Sequence, residues 1–161
     1  QNTCIEDIDF KQSRGLDKSL MLDLAQCLWV KKQLNILISD MGFPLDRILM
    51  DPTTGALGYG IEYGYSAMER LRLAALQGDK MTQLPMIVTP GFEAWKTKEA
   101  KVGEGVPDTW GDWEARGINW ETLTAITLLE AGADIVVLRH PESIKRVNSA
   151  IKELMVIPET A

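Results

Sequence analysis

One stretch constrains the fold of this chain more than any other: Asp51 to Leu76, D-P-T-T-G-A-L-G-Y-G-I-E-Y-G-Y-S-A-M-E-R-L-R-L-A-A-L. Upstream of it, Arg47 to Met50 is a short apolar run headed by a charge, long enough for one buried strand. Downstream, Glu62 to Leu76 has no proline and is rich in Ala, Leu, Met, Glu and Arg, which predicts helix. Between them lie Gly55, Gly58 and Gly60, and glycine tolerates positive φ and lets a backbone or a ligand approach closely. Strand, glycine-rich loop, helix is the unit of a parallel α/β fold, whose loops gather at the carboxyl edge of the sheet where sites are built. Gly55-x-x-Gly58-x-Gly60 is not the dinucleotide order G-x-G-x-x-G, and Gly60 does not precede the Lys-Ser/Thr pair of a phosphate loop. The spacing alone fits a turn without a ligand as well as a binding loop.

Charge narrows the function classes. A net charge of −6 and a pI near 4.8 leave no basic face for sequence-independent nucleic-acid binding. No apolar run approaches the roughly 18 residues of a membrane span. Gln1 to Asp7 carries neither the basic start nor the apolar core of a secretory signal. Cys4 and Cys27 are the only cysteines and lie far apart, which excludes a disulfide framework and a C-x-x-C metal pair. An iron–sulfur cluster needs a fuller set of thiolates than this chain supplies alone. The expected location is intracellular, in the reducing cytoplasm. At 161 residues and 45% hydrophobic content the chain is of single-domain size and can bury a core.

Taken in order, residues 1–15 are mixed and polar, with Ile5, Ile8 and Phe10 loosely alternating. From Leu16 to Met41 the apolar residues Leu20, Leu24, Cys27 or Leu28, Val30, Leu34, Leu37 and Met41 predict a helix with a break near Lys31-Lys32, stopped by Gly42 and Pro44. Leu84 to Thr89 predicts the next strand, with Pro85 near its start. Pro90 to Asn119 is then a long excursion, and Trp95, Trp110, Trp113 and Trp120 fall in it or just after it. Such stretches are usually functional or disordered, and tryptophan argues against disorder. The tryptophans either pin the excursion to its own core or face a ligand or partner. Trp120 to Ala131 predicts a helix ending at Gly132, Asp134 to Leu138 reads as the cleanest buried strand, and Pro141 to Met155 as a last helix. Strands alternating with helices predict an α/β fold with a parallel sheet, about half of an eight-stranded barrel or a small open sheet.

Several segments carry a family resemblance: K-Q-L-N-I-L (Lys32 to Leu37), the long Asp51 to Arg70 block, E-A-W-K-T-K-E-A (Glu93 to Ala100), W-G-D (Trp110 to Asp112) and A-G-A-D-I-V-V-L-R-H-P-E (Ala131 to Glu142). With these the chain resembles the small (delta) subunit of the corrinoid iron–sulfur protein of the CO dehydrogenase/acetyl-CoA synthase system. The resemblance implies a TIM-type (β/α) barrel, of which residues 31–161 would form the C-terminal half, preceded by a poorly matched helical or irregular segment, residues 1–30. It also implies a non-catalytic scaffold that pairs with a large subunit carrying the iron–sulfur cluster and a corrinoid (cobamide). Such a pair takes a methyl group from a methyltetrahydrofolate methyltransferase and passes it to acetyl-CoA synthase in the anaerobic acetyl-CoA pathway. A pterin-dependent methyltransferase on a related barrel, with Asp51 on the pterin, and a barrel fragment without function are the alternatives.

If the barrel reading holds, the strand ends face the site. They are Asp51, Thr53 and Thr54, then Thr89 and Glu93, then Arg139 and His140, with Gly55, Ala56 and Gly58 offering backbone amides near a helix start. These are the expected cofactor-binding residues. Asp51 would otherwise simply fix its loop. Arg139 would meet a corrin carboxamide or pair with an acid such as Asp51. His140, the only histidine, is a loop-to-helix junction residue or a lower cobalt ligand. No nucleophile constellation is visible: Ser66, Ser143 and the cysteines have no evident base nearby in sequence, and one histidine makes no metal site.

Overall fold

The structure, a computed structural model, describes residues 41–155. The expectations for residues 1–40, the first helix among them, lie outside the described residues. The described chain divides into two compact units, one of residues 41–48 and Arg70–Leu84, the other of Leu49–Glu69 with Pro85 onward.

In the first unit a 3-10 turn, Leu45–Arg47, precedes the buried Ile48. Helix α1, Ile61–Leu76, ends here. Gly78 at φ +96 lets the Asp79 amide reach back to the Ala74 carbonyl at 3.1 Å and its own amide to that of Ala75 at 3.0 Å, so the last carbonyls are satisfied. Asp79 then caps the 3-10 turn Lys80–Thr82 by accepting from the Met81 amide at 3.1 Å.

The second unit is built on a short parallel ladder. Met50 bridges Met86, and β1, Ile87–Val88, pairs with β2, Ile135–Val136, in the register Ile87 to Ile135. The Ile87 amide donates to the Met50 carbonyl at 2.9 Å, Ile135 to Met86 at 3.0 Å and Val137 to Val88 at 2.9 Å. The three segments therefore lie side by side in chain order, all pointing one way. Met50, Met86 and Val88 are buried along the ladder, and Met68 of α1, Ala125 and Leu128 are buried with them. Helix α4, Trp113–Glu130, packs against the last helix, α5, Pro141–Leu154.

The strands are shorter than the sequence predicts. The Arg47–Met50 run contributes one bridge at Met50, Leu84–Thr89 contracts to Ile87–Val88 with a bridge at Met86, and Asp134–Leu138 contracts to Ile135–Val136. Nor is the last strand buried: Ile135 is 40% exposed, because β2 has a neighbour only on its β1 side among the described residues. Its other side borders a concavity of about 500 Å³ lined by Leu129, Val136, Leu138, Ile144, Val147 and Ile151, among others.

The excursion after β1 carries four short helical pieces: α2, Pro90–Glu93, a 3-10 turn, Ala94–Lys96, α3, Lys98–Lys101, and a 3-10 turn, Asp108–Trp110. Helix α4 begins at Trp113 rather than Trp120, because Asp112 caps it by accepting from the Ala115 amide at 2.9 Å. Gly117 hides this start by breaking the helical pattern. Its missing side chain is needed, since a Cβ there would sit 2.7 Å from the Trp95 ring. No helix among the described residues is long and apolar enough to cross a membrane.

Gly91 shows where this unit tolerates no addition: a Cβ there would lie 2.7 Å from the Arg139 nitrogen and 2.8 Å from the Leu138 carbonyl carbon. Backbone cannot yield as a side chain can, so Gly91→Ala is expected to cost at least about 1–3 kcal/mol in urea unfolding. Gly103→Ala, whose Cβ would meet only the Trp113 ring at 3.5 Å, is the near-neutral control. Equal stability for both variants would refute the close approach.

Candidate functional site

Three loops leave the carboxyl ends of the ladder segments and are stitched to one another. After Met50, the Asp51 carboxylate accepts from the Thr53 amide at 2.9 Å and holds Thr53 at φ +67. A β-branched residue there is strained, by roughly 1–3 kcal/mol, so the surroundings must enforce it. They include α1: a Cβ at Gly64 would lie 2.9 Å from the Thr53 carbonyl oxygen. Thr54 turns inward, its hydroxyl oxygen accepting from the Thr89 amide at 2.8 Å, which joins the first loop to the second. The Gly91 amide donates to the Val137 carbonyl at 3.0 Å, which joins the second to the third.

The glycine loop itself folds back on its own start. A Cβ at Gly55 would fall 2.6 Å from the Gly60 backbone, and the Tyr59 amide donates to the Ala56 carbonyl at 2.9 Å. Ala56 is buried, Gly58 at φ +75 is exposed, and the loop is tied to α4 by Trp120, whose Nε1 donates to the Leu57 carbonyl at 3.0 Å. The openness of Gly55 and Gly91 thus serves the chain's own packing. A Cβ built on Gly58 would meet, among the described residues, only a Trp120 ring carbon at 4.0 Å.

Beneath the third loop lies a residue the sequence reading passed over. Glu121 is 0% exposed. One carboxylate oxygen accepts from the Arg139 amide, and the other accepts from Trp95 Nε1 at 2.9 Å, the Ser143 hydroxyl at 2.7 Å and the His140 amide at 3.2 Å. Burying a lone carboxylate is very costly, and here N–H and O–H donors, not a cation, offset that cost. Its sequence signal is position: Glu121, Thr124, Ala125 and Leu128 fall on the buried face of α4, where an acid is unexpected.

Around Glu121 the aromatic side chains stack. His140 lies against Trp95 with ring centroids 5.9 Å apart and planes 25° from parallel, and the Arg139 guanidinium sits 5.6 Å from the Trp95 ring centre. His140 caps α5: its Nδ1 accepts from the Glu142 amide at 3.1 Å, which places the neutral ring's proton on Nε2, facing Glu114 at 3.6 Å. It is a junction residue whose Nδ1 is taken up by the helix cap. Arg139 does not pair with Asp51, whose Oδ1 accepts from Thr53, and among the described residues no carboxylate pairs with the guanidinium.

Glu93 is drawn to Lys96, in the following 3-10 turn, at 2.7 Å and is not brought to Asp51, Thr53 or Arg139 by any hydrogen bond. The tryptophans divide between pinning and display. Trp95 and Trp120 are bonded inward, Trp110 lies 5.3 Å beneath the Arg116 guanidinium, and Trp113 is exposed. Arg116, nearly buried, spends its donors on the carbonyls of Glu99, Val102, Trp110 and Gly111, and so clamps the excursion shut. Among the described residues no group of three or more His, Cys, Asp or Glu side chains gathers to hold a metal ion.

The chain matches the CO dehydrogenase/acetyl-CoA synthase delta subunit family over residues 15–152. It belongs to that family. It is similar to the acetyl-CoA decarbonylase/synthase complex subunit delta of Methanosarcina mazei, 44% identical over 118 residues, covering 71% of this chain and 27% of that protein. Subunit delta 1 of Methanosarcina thermophila is 46% identical over the same shares. Subunit delta of Methanocaldococcus jannaschii is 34% identical over 158 residues, 94% of this chain and 38% of the relative. The matched stretch therefore spans about a quarter to two-fifths of these relatives' length, less than the half that the resemblance implied. In this delta-subunit chain the Asp51 to Arg70 block supplies the first loop, and the Ala131 to Glu142 block supplies β2 and the third.

Two outcomes follow from α5. His140→Ala removes its cap acceptor and is expected to cost about 1 kcal/mol in urea unfolding, most of it recovered by His140→Asn. Equal losses in both variants would place the effect in the Trp95 stack instead. The hydrogen bond from Arg146 holds the exposed Glu142 carboxyl below its usual range. Its contribution is therefore complete above the ordinary carboxylate pKa and fades as pH falls through the lowered value. Glu142→Gln should lower stability slightly at neutral pH and flatten the acid limb of stability against pH, and an unaltered acid limb would refute the pairing.

Proposed function

We propose that this delta-subunit chain is a non-catalytic scaffold of a corrinoid methyl carrier, and that its parallel ladder is part of a larger (β/α) barrel. The observation that carries the reading is family membership over most of the chain, together with strand-end loops that are stitched for rigidity. Ladder segments side by side in chain order, open at β2, are what a portion of such a barrel presents.

The outward groups at the carboxyl edge fit the amide-bearing rim of a corrinoid better than its metal. The Arg139 guanidinium and exposed Gly58 offer donors, and Asp51 and Thr53 offer acceptors. His140 Nδ1 is committed to the cap of α5 and the ring is stacked on Trp95, which favours a junction residue over a lower cobalt ligand. The corrinoid supplies the cobalt that carries the methyl group, and the residues named here would hold its periphery and exclude water. The partner would be the large subunit bearing the corrinoid and the iron–sulfur cluster. Donor and acceptor of the methyl group would be methyltetrahydrofolate methyltransferase and acetyl-CoA synthase. Folding this many polar groups into a fixed edge is what preorganised binding requires.

The test is anaerobic mixing with the corrinoid-bearing large subunit, followed by size exclusion with light scattering and corrinoid absorbance. A stable mixed complex carrying the corrinoid is the expected result. Separate elution of the two proteins would sink the carrier reading for this chain, and methyltetrahydrofolate binding by the chain alone would favour a pterin-dependent enzyme instead.

A further inference from the structure

Among the described residues the Arg139 guanidinium pairs with no carboxylate, although one lies beneath its backbone. Glu121 lies directly under the Arg139 backbone, yet its oxygens are taken up by the amides of Arg139 and His140, Trp95 Nε1 and the Ser143 hydroxyl. The guanidinium instead rests over the Trp95 ring at 5.6 Å, on the exposed side of the loop. The ring in turn is fixed by the bond from its Nε1 to Glu121, by His140 against it and by Gly117, where any Cβ would collide with it. An arginine stacked on an aromatic face keeps its planar fork of donors pointing to solvent and has lost most of its rotamer freedom already.

We propose that Glu121 is a positioning residue. By holding both the Arg139 amide and the Trp95 ring it sets the guanidinium as a preformed site for an oxygen acceptor, a phosphate or an amide carbonyl, at the carboxyl edge. The inference rests on the corrinoid reading only for the source of that acceptor, which would be the phosphodiester of a nucleotide tail or a carboxamide of the corrin rim. The recognition chemistry is the same for both. Ser143 acts here as a donor to Glu121, which explains its buried hydroxyl.

The experiment follows the Arg139 Nε–H and Trp95 Nε1–H signals by NMR in the full 161-residue chain during titration with inorganic phosphate, cobalamin and cobinamide, which lacks the nucleotide tail. Both signals are expected to move with phosphate. Binding of cobalamin but not cobinamide assigns the acceptor to the tail, and binding of both assigns it to the rim. Arg139→Ala, an exposed change, should weaken binding at least about tenfold, as loss of a charge-assisted contact does. Glu121→Gln keeps the shape but presents an N–H₂ to the donors of Trp95 and Ser143, and should weaken binding similarly with the Arg139 signal broadened. Trp95→Phe, which keeps a ring but loses the bond to Glu121, gives the same test without touching the buried acid. Unchanged affinity in both Glu121→Gln and Trp95→Phe would overturn the positioning role. Arg139 signals that no probe moves would overturn the site. Phosphate binding at Arg139 without either corrinoid would uphold the site and refute the corrinoid source.

Discussion

The second unit depends on one buried charge. Among the described residues Glu121 has no cation beside it, and donors from three places surround it: Trp95 in the excursion, the Arg139-His140 backbone after β2 and Ser143 in the first turn of α5. Its anionic oxygens also meet the N-terminal end of α5, where the helix dipole favours negative charge. Removing any of these donors leaves a buried carboxylate with fewer partners to offset its desolvation, which costs more than the bond contributes. That asymmetry makes the excursion, the strand end and the last helix interdependent.

Arg116 does the complementary task further out. Its donors satisfy carbonyls of Glu99, Val102, Trp110 and Gly111, groups that a loop without regular structure would leave bare. Tyr59 reaches the Glu99 carboxylate at 2.9 Å from the glycine loop, so the clamp extends to the first strand end. A segment that composition alone would allow to be disordered is thereby held by polar bonds to main chain, with Trp110 and Trp113 packed around them.

Much of this was legible in the residues and part of it was not. The order of strands and helices, the parallel ladder and the loop at Asp51 follow from apolar runs broken by glycine and proline, and the structure places them where those runs lie. Strand length was overread, because apolar runs such as Asp134 to Leu138 continue past the last paired residue when only one neighbour is present. The start of α4 was missed because Gly117 serves a tertiary need, room for Trp95, that no local pattern contains. Glu121 was missed for the same kind of reason: an acid reads as surface until its donors, 26 residues before it in Trp95 and 22 after it in Ser143, are brought together.

The glycines and threonines of the strand ends show how a site is divided between holding itself and holding something else. Thr54 and Thr89 face each other, Gly55 admits the Gly60 backbone and Gly91 admits Leu138 and Arg139, so these residues are consumed by internal contacts. What remains turned outward is a short set: Asp51, the strained Thr53, Gly58 and the Arg139 guanidinium. Strain at Thr53 persists only because the Asp51 cap and the close face of Gly64 over-determine it. A loop without a task could relax that φ by carrying glycine at position 53, as it does at Gly58 and Gly60. A threonine kept there at a conformational cost offers a hydroxyl at a fixed place on the edge. That cost, together with an arginine stacked on Trp95 rather than paired with a carboxylate among the described residues, argues for an edge shaped to receive polar atoms from outside the chain.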